Sequence, residues 1–207
     1  MNLSSALVAS AFAACAPFAF ASEIATGSAE ADAHARHHQT VAHASRTLAE
    51  YAIPDLQLVR EDGKQMSLAD AVGQNEPVVV DFIYTTCTTI CPLASQTFAQ
   101  LQQLLGPDAK RVNFISISID PEQDTPKRLT AYAEKFSAGP QWHMYTGTVQ
   151  ASLAAQRAFN VFRGDKMSHA PVMLVYGGSG NSWVKLDGFA SADDLYSELK
   201  SSKAIRE

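Results

Sequence analysis

The stretch "DFIYTTCTTICPLASQTF", residues 81–98, decides the fold. It joins the apolar run "PVVVDFIY" at 77–84 to "PLASQTFAQLQQLLG" at 92–106. The first segment is continuous and of strand length, as in a strand buried on both faces. The second carries Leu93, Phe98, Leu101 and Leu105 at helical spacing and stops at Gly106. Cys87 and Cys91 sit between them, at a strand-to-helix turn. Ligands and reactive groups collect at such turns in open α/β sheets. Proline is favoured at the first helical position, so Pro92 makes Cys91 the expected cap and leaves Cys87 in the preceding loop. Free N–H groups and the positive end of the helix then favour thiolate. Thiolate is the form that attacks disulfides and the form that binds metal. Tyr84, Thr85, Thr86, Thr88, Thr89 and Ile90 add no formal charge, a setting in which two thiolates suit a soft monovalent cation.

Further strands and helices alternate around this turn. "VNFISISID" at 112–120 reads as a second buried strand, and "DTPKRLTAYAEKF" at 124–136 as a helix opening on Thr125 and Pro126. "WHMYTG" at 142–147 is strand-like and "VQASLAAQRAFNVF" at 149–162 helical. "APVMLVY" and "WVKLDGF" flank the turn "GGSGNS" as a hairpin, and "SADDLYSELK" at 191–200 closes the chain as a capped helix. Upstream, "LQLV" and "EDGK" read as a short strand and turn, and "MSLADAVG" as a short helix capped by Ser67. The expected architecture is α/β, an open sheet with helices on both faces.

Bulk properties narrow the functions. The 207 residues are 46% apolar and 18% charged, enough for one domain with a core. The net charge of −5 argues against a nucleic-acid-binding face. Residues 1–21 are uncharged, rich in Ala, Leu, Val and Phe, and end on the A-x-A signal "AFA" at 19–21. They read as a secretory peptide cleaved after Ala21. The rival readings are an uncleaved anchor, which would tether the chain to a membrane, and a lipoprotein signal ending at Cys15. Residues 22–45 read as a flexible linker carrying His34, His37, His38 and His43, and residues 46–207 as the folded domain. Cleavage would leave Cys87 and Cys91 as the remaining cysteines, and a loop this small restrains the unfolded chain little. A purely structural disulfide is therefore disfavoured.

Two thiolates do not complete a structural zinc site. The body offers His143, in "QWHMY", and His169, in "KMSHAPVML". His169 precedes a buried strand, which a thioredoxin-like arrangement would set beside the cysteine turn, and it is the better candidate. Met167 reads as packing. "SISIDPEQDTP" at 116–126 holds Asp120 and Asp124, for which turn and cap chemistry is a full account.

Taken in order, "FIYTTCTTICP", "SISIDPEQDTP" and "SHAPVMLVY" resemble the SCO (SenC/PrrC-like) family of copper-binding, thioredoxin-fold proteins. The resemblance spans about residues 50 to 200. It implies a thioredoxin-like fold with a central mixed sheet flanked by helices, and copper held by Cys87, Cys91 and His169. It implies a periplasmic or membrane-tethered role in maturing the dinuclear copper centre of cytochrome c oxidase subunit II, or of another copper or thiol protein. The alternative is a thiol–disulfide oxidoreductase, or a peroxidase-like enzyme, using the Cys87–Cys91 pair. Asp120 and Asp124 match the family's D-P-x-x-D-T-P motif, in which an acidic residue is linked to metal handling. Thioredoxin-like folds also commonly carry a cis-proline at the corner occupied here by Pro171.

Overall fold

The computed structural model describes residues 44–73 and 75–205. The expected leader at 1–21 and the linker up to His43, with Cys15, His34, His37 and His38, lie outside the described residues. In chain order the elements are β1 (Ser45–Glu50), β2 (Gln57–Arg60), β3 (Gln65–Ser67), α1 (Leu68–Val72), β4 (Pro77–Ile83), α2 (Ile90–Leu105) and β5 (Asn113–Ser118). There follow α3 (Pro126–Lys135), β6 (Trp142–Thr146), α4 (Val149–Ala158), β7 (Val172–Gly177), β8 (Ser182–Asp187) and α5 (Ala192–Ser201).

The strands form one sheet in the order β1-β8-β7-β4-β5-β6-β2-β3. β4, β5 and β6 run parallel, and the pairings of β4 with β7, β7 with β8 and β8 with β1 are antiparallel. This is the expected mixed sheet, and the fold is thioredoxin-like. β4 is central because both its faces are apolar. Val79 and Ile83 join Phe98, Leu101, Leu129, Leu195 and Leu199 in one core layer. Val78, Val80 and Phe82 join Leu68, Ala155 and Phe159 in the other. Complete burial of such side chains contributes roughly 2 kcal/mol each. The helices thus divide into α2, α3 and α5 on one face and α1 and α4 on the other.

Local signals set the helix ends. Ser67, Thr125, Thr148 and Ser191 each accept an N–H from the first turn of the helix they precede. Gly106, at φ +54°, ends α2. α4 ends at Ala158, short of the stretch expected to 162, and Asn160 follows at φ +53°. β1 was not expected: Ser45, assigned to the linker, begins an edge strand on β8.

Candidate thiol and metal site

The cysteines lie where β4 gives way to α2. The Cys87 N–H donates to the Tyr84 carbonyl at 3.1 Å, which closes the turn. α2 begins at Ile90 with Thr89 as its cap residue, so Cys91 occupies the first helical turn instead of the expected cap. Pro92 tolerates the shift because first-turn N–H groups have no intrahelical acceptor. The shift has a chemical consequence: the Cys91 N–H points at the Cys87 sulfur, 3.4 Å away. The Thr89 hydroxyl lies 3.8 Å from the same sulfur.

Both cysteines are free thiols and buried, but they are not equivalent. Burial pushes Cys87 up, yet the N–H groups of Cys91 and Thr89 and their side chains outweigh it, leaving its pKa lowered to about 7. Burial pushes Cys91 well above the ordinary thiol value; an N–H bond from Tyr84 opposes this, and proximity to Cys87 adds to it. The expectation that the helix end favours both thiolates holds for Cys87 alone. The Tyr84 phenol is raised to about 12 by burial first and by the neighbouring Cys87 second.

His169 follows a short 3-10 turn, Lys166–Ser168, and lies before β7. Its Nε2 is 2.8 Å from the Phe82 carbonyl oxygen in β4. A carbonyl only accepts, so Nε2 carries the proton and Nδ1 is the basic nitrogen. Burial lowers the His169 pKa, against the Phe82 carbonyl and with Arg163, so the ring is neutral at pH 7. Cys87, Cys91 and His169 all belong to the β4 end of the sheet. Among the described residues, however, no three His, Cys, Asp or Glu side chains stand grouped for a metal ion. The donor types suit a soft cation, and His169 has to leave Phe82 or bind through Nδ1 after its segment shifts.

The two aspartates differ. Asp124 is fully buried and takes hydrogen bonds from the Thr85 N–H, the Thr85 hydroxyl at 2.6 Å and the Ser118 hydroxyl at 2.6 Å. It fastens the cysteine loop to β5 and the approach to α3. Asp120 pairs with Lys166, Oδ2 to Nζ 2.6 Å.

The SCO1/SenC family model matches residues 44–204. The chain belongs to the SCO1/SenC family. It is 29% identical over 167 residues to a SCO1 protein homolog of Bacillus subtilis, covering 75% of this chain and 85% of that one. It also resembles the structure of BsSco, described as containing a disulfide switch and as a member of the Sco family of cytochrome c oxidase assembly proteins. That likeness has a TM-score of 0.63 and 28% identity, over 77% of this chain and 98% of that one. A copper-bound ScoI from Bradyrhizobium japonicum matches with a TM-score of 0.61 and 23% identity, over 74% of this chain and 99% of that one, a likeness of fold.

Within this SCO1/SenC domain, some side chains depart from the expectations, while His143 stays the weaker candidate. Met167 is not packing, being 78% exposed. His143 pairs with Glu61, Nδ1 to Oε1 2.9 Å, away from the thiols. No peptide bond among the described residues is cis, so the bond before Pro171 is trans. Sequence reasoning missed Asp81, which the apolar run around it disguised. Strand alternation puts it on the Val79 and Ile83 face, the cysteine side, with both carboxylate oxygens buried and without hydrogen-bond partners. Burial raises its pKa to about 7. The signal was available: a charged residue inside a continuous apolar strand needs an explanation. Among the described residues, no helix is long and apolar enough to cross a membrane.

Proposed function

We propose that this chain is an exported copper carrier that binds one copper ion through Cys87, Cys91 and His169. It would deliver the ion to a dinuclear copper centre such as that of cytochrome c oxidase subunit II. The observation that carries this reading is the state of the three donors: Cys87 near its thiolate transition at neutral pH, Cys91 four residues on, and a neutral His169 with Nδ1 basic. Two sulfurs and an imidazole make a soft set that suits Cu(I) better than harder divalent ions. Structural zinc wants four protein ligands. The copper bound by the B. japonicum ScoI and the oxidase-assembly role stated for BsSco's family are in keeping with it. The leader at 1–21 would take the chain to the periplasm or hold it on the membrane.

Competition titration of the reduced, metal-free protein with a Cu(I) chelator tests the assignment. Cys87→Ser and Cys91→Ser abolish tight binding, and His169→Ala weakens it by at least about ten-fold. A His169→Ala protein that competes as well as the parent refutes the ligand set.

The second reading, a thiol–disulfide oxidoreductase, is favoured by the inequality of the two thiols. Cys87 would attack a partner disulfide as thiolate, and buried Cys91 would resolve the mixed disulfide. This reading requires no histidine, so His169→Ala leaves its exchange rate unchanged.

A further inference from the structure

We infer that Lys166 and Asp120 form a latch that holds the His169 segment across the cysteine turn. Asp120 then influences copper binding through Lys166 and His169, without touching the metal. The inference rests on the reading of His169 as the third ligand.

The latch joins a fixed end to a loose one. Asp120 is the fixed end. It lies two residues beyond β5, its own N–H donates to the Ser118 hydroxyl at 3.0 Å, and its carbonyl accepts the N–H groups of Gln123 and Asp124. Its side chain is only 8% exposed. The loose end is the exposed run from Arg163 to Ser168. Its internal bonds are local: Asp165 Oδ1 accepts the Met167 N–H at 2.6 Å, and the Lys166 carbonyl accepts the His169 N–H at 3.2 Å. Two side-chain contacts fasten this turn to the sheet, Lys166 to Asp120 and His169 to the Phe82 carbonyl.

The geometry explains why such a contact matters at this place. Asp120 lies just beyond the end of β5, and Tyr84 follows the end of β4, its parallel neighbour. Lys166 Nζ sits 5.9 Å from the centre of the Tyr84 ring, so the ion pair lies beside Tyr84, whose carbonyl accepts the Cys87 N–H. His169 is three residues from Lys166. To ligate copper it has to give up Phe82 or bind through Nδ1 as its segment shifts, and in either case Lys166 is the side-chain contact that keeps the segment near the sulfurs. A segment held close loses less conformational freedom when its ligand closes on the metal. The Lys166 end is 40% exposed, which makes the pair weak and reversible, as a segment that must move requires.

The test combines Cu(I) competition titrations with amide hydrogen exchange on the metal-free protein. Four variants are compared with the parent: Lys166→Ala, Lys166→Arg, His169→Ala and the Lys166→Ala/His169→Ala double variant. Lys166→Ala is expected to weaken copper binding about three- to ten-fold. Lys166→Arg keeps the pair and restores affinity to within about two-fold. Lys166→Ala adds nothing once His169 is gone, because the latch acts through that ring. In the metal-free Lys166→Ala protein, amides at 167–170 exchange faster while those of β4 and β5 do not change. Parent-like affinity in Lys166→Ala, with His169→Ala impaired, overturns the latch. A full Lys166 effect persisting in the double variant overturns it too, and makes Asp120 a direct participant. If His169→Ala binds like the parent, the ligand reading fails on its own account. Unchanged exchange at 167–170 in Lys166→Ala then overturns the latch separately.

Discussion

Cys87 and Cys91 share one turn and differ in chemistry, because N–H groups converge on one sulfur and burial dominates at the other. The Cys91 amide is spent on the Cys87 sulfur, while the Cys91 sulfur lies deeper in the core. Alkylation of single-cysteine variants should therefore be unequal. At pH 7 Cys91→Ser reacts with iodoacetamide at least about ten-fold faster than Cys87→Ser, with half-maximal rate near the lowered Cys87 pKa of about 7. Equal rates would show that the two sulfurs share one environment. Asp81 gives a second prediction. Its folded pKa, raised by burial to about 7, exceeds that of the unfolded chain, near 4. The unfolded chain releases this proton first, so the contribution to stability declines as pH rises from about 4 to 7 and is lost above. Asp81→Asn does not titrate. Its stability relative to the parent should rise between pH 5 and pH 8 by roughly 2–3 kcal/mol, read from urea midpoints. A gap that stays constant with pH contradicts the account. The cysteines and His169 stood out in the sequence as candidates because their spacing and order are local signals. Asp81 was not read, because in an apolar run one polar letter does not disturb the strand pattern.

At the scale of elements, the helices and central strands were legible and the edges were not. Ser67, Thr125 and Ser191 announce their helices, and the apolar runs of β4 and β5 announce burial. β1 is exposed along nearly its whole length, so no alternation marks it; only its pairing with β8, far along the chain, makes it a strand. The same distance hid Asp124, whose bonds to Thr85 span 39 residues. Cap chemistry, a full account of Asp124 in the sequence, proves incomplete: Thr125 caps α3, while Asp124 braces the cysteine loop. Asp124→Ala strands the Thr85 N–H and both hydroxyls without their acceptor. It should lower stability by about 2–4 kcal/mol, with the denaturant slope unchanged. A loss below about 0.5 kcal/mol would mean that the loop finds other partners.

At the scale of the molecule, the sheet brings three distant segments to the end of β4: the cysteine turn, the aspartate motif after β5 and the His169 turn before β7. The resemblance anticipated that convergence, and the fold accounts for it through parallel β4 and β5 with antiparallel β7 on the other side. What the sequence did not convey is that His169 is engaged by Phe82, and that among the described residues no three such donors stand grouped for a metal ion. Copper affinity should follow protonation. Cys91, held above its ordinary value, must lose a proton at every neutral pH, and Cys87 must lose one below about 7. Apparent Cu(I) affinity therefore falls about ten-fold per pH unit from 9 to 7 and more steeply below, as chelator competition across pH would record. A flat profile would mean that neither sulfur binds. The most direct measurement is the X-ray absorption spectrum of the reduced protein loaded with one equivalent of Cu(I). The account predicts two sulfur donors and one nitrogen donor, with the nitrogen lost in His169→Ala. A sulfur-only copper shell in the parent, or a nitrogen that survives in His169→Ala, would contradict it.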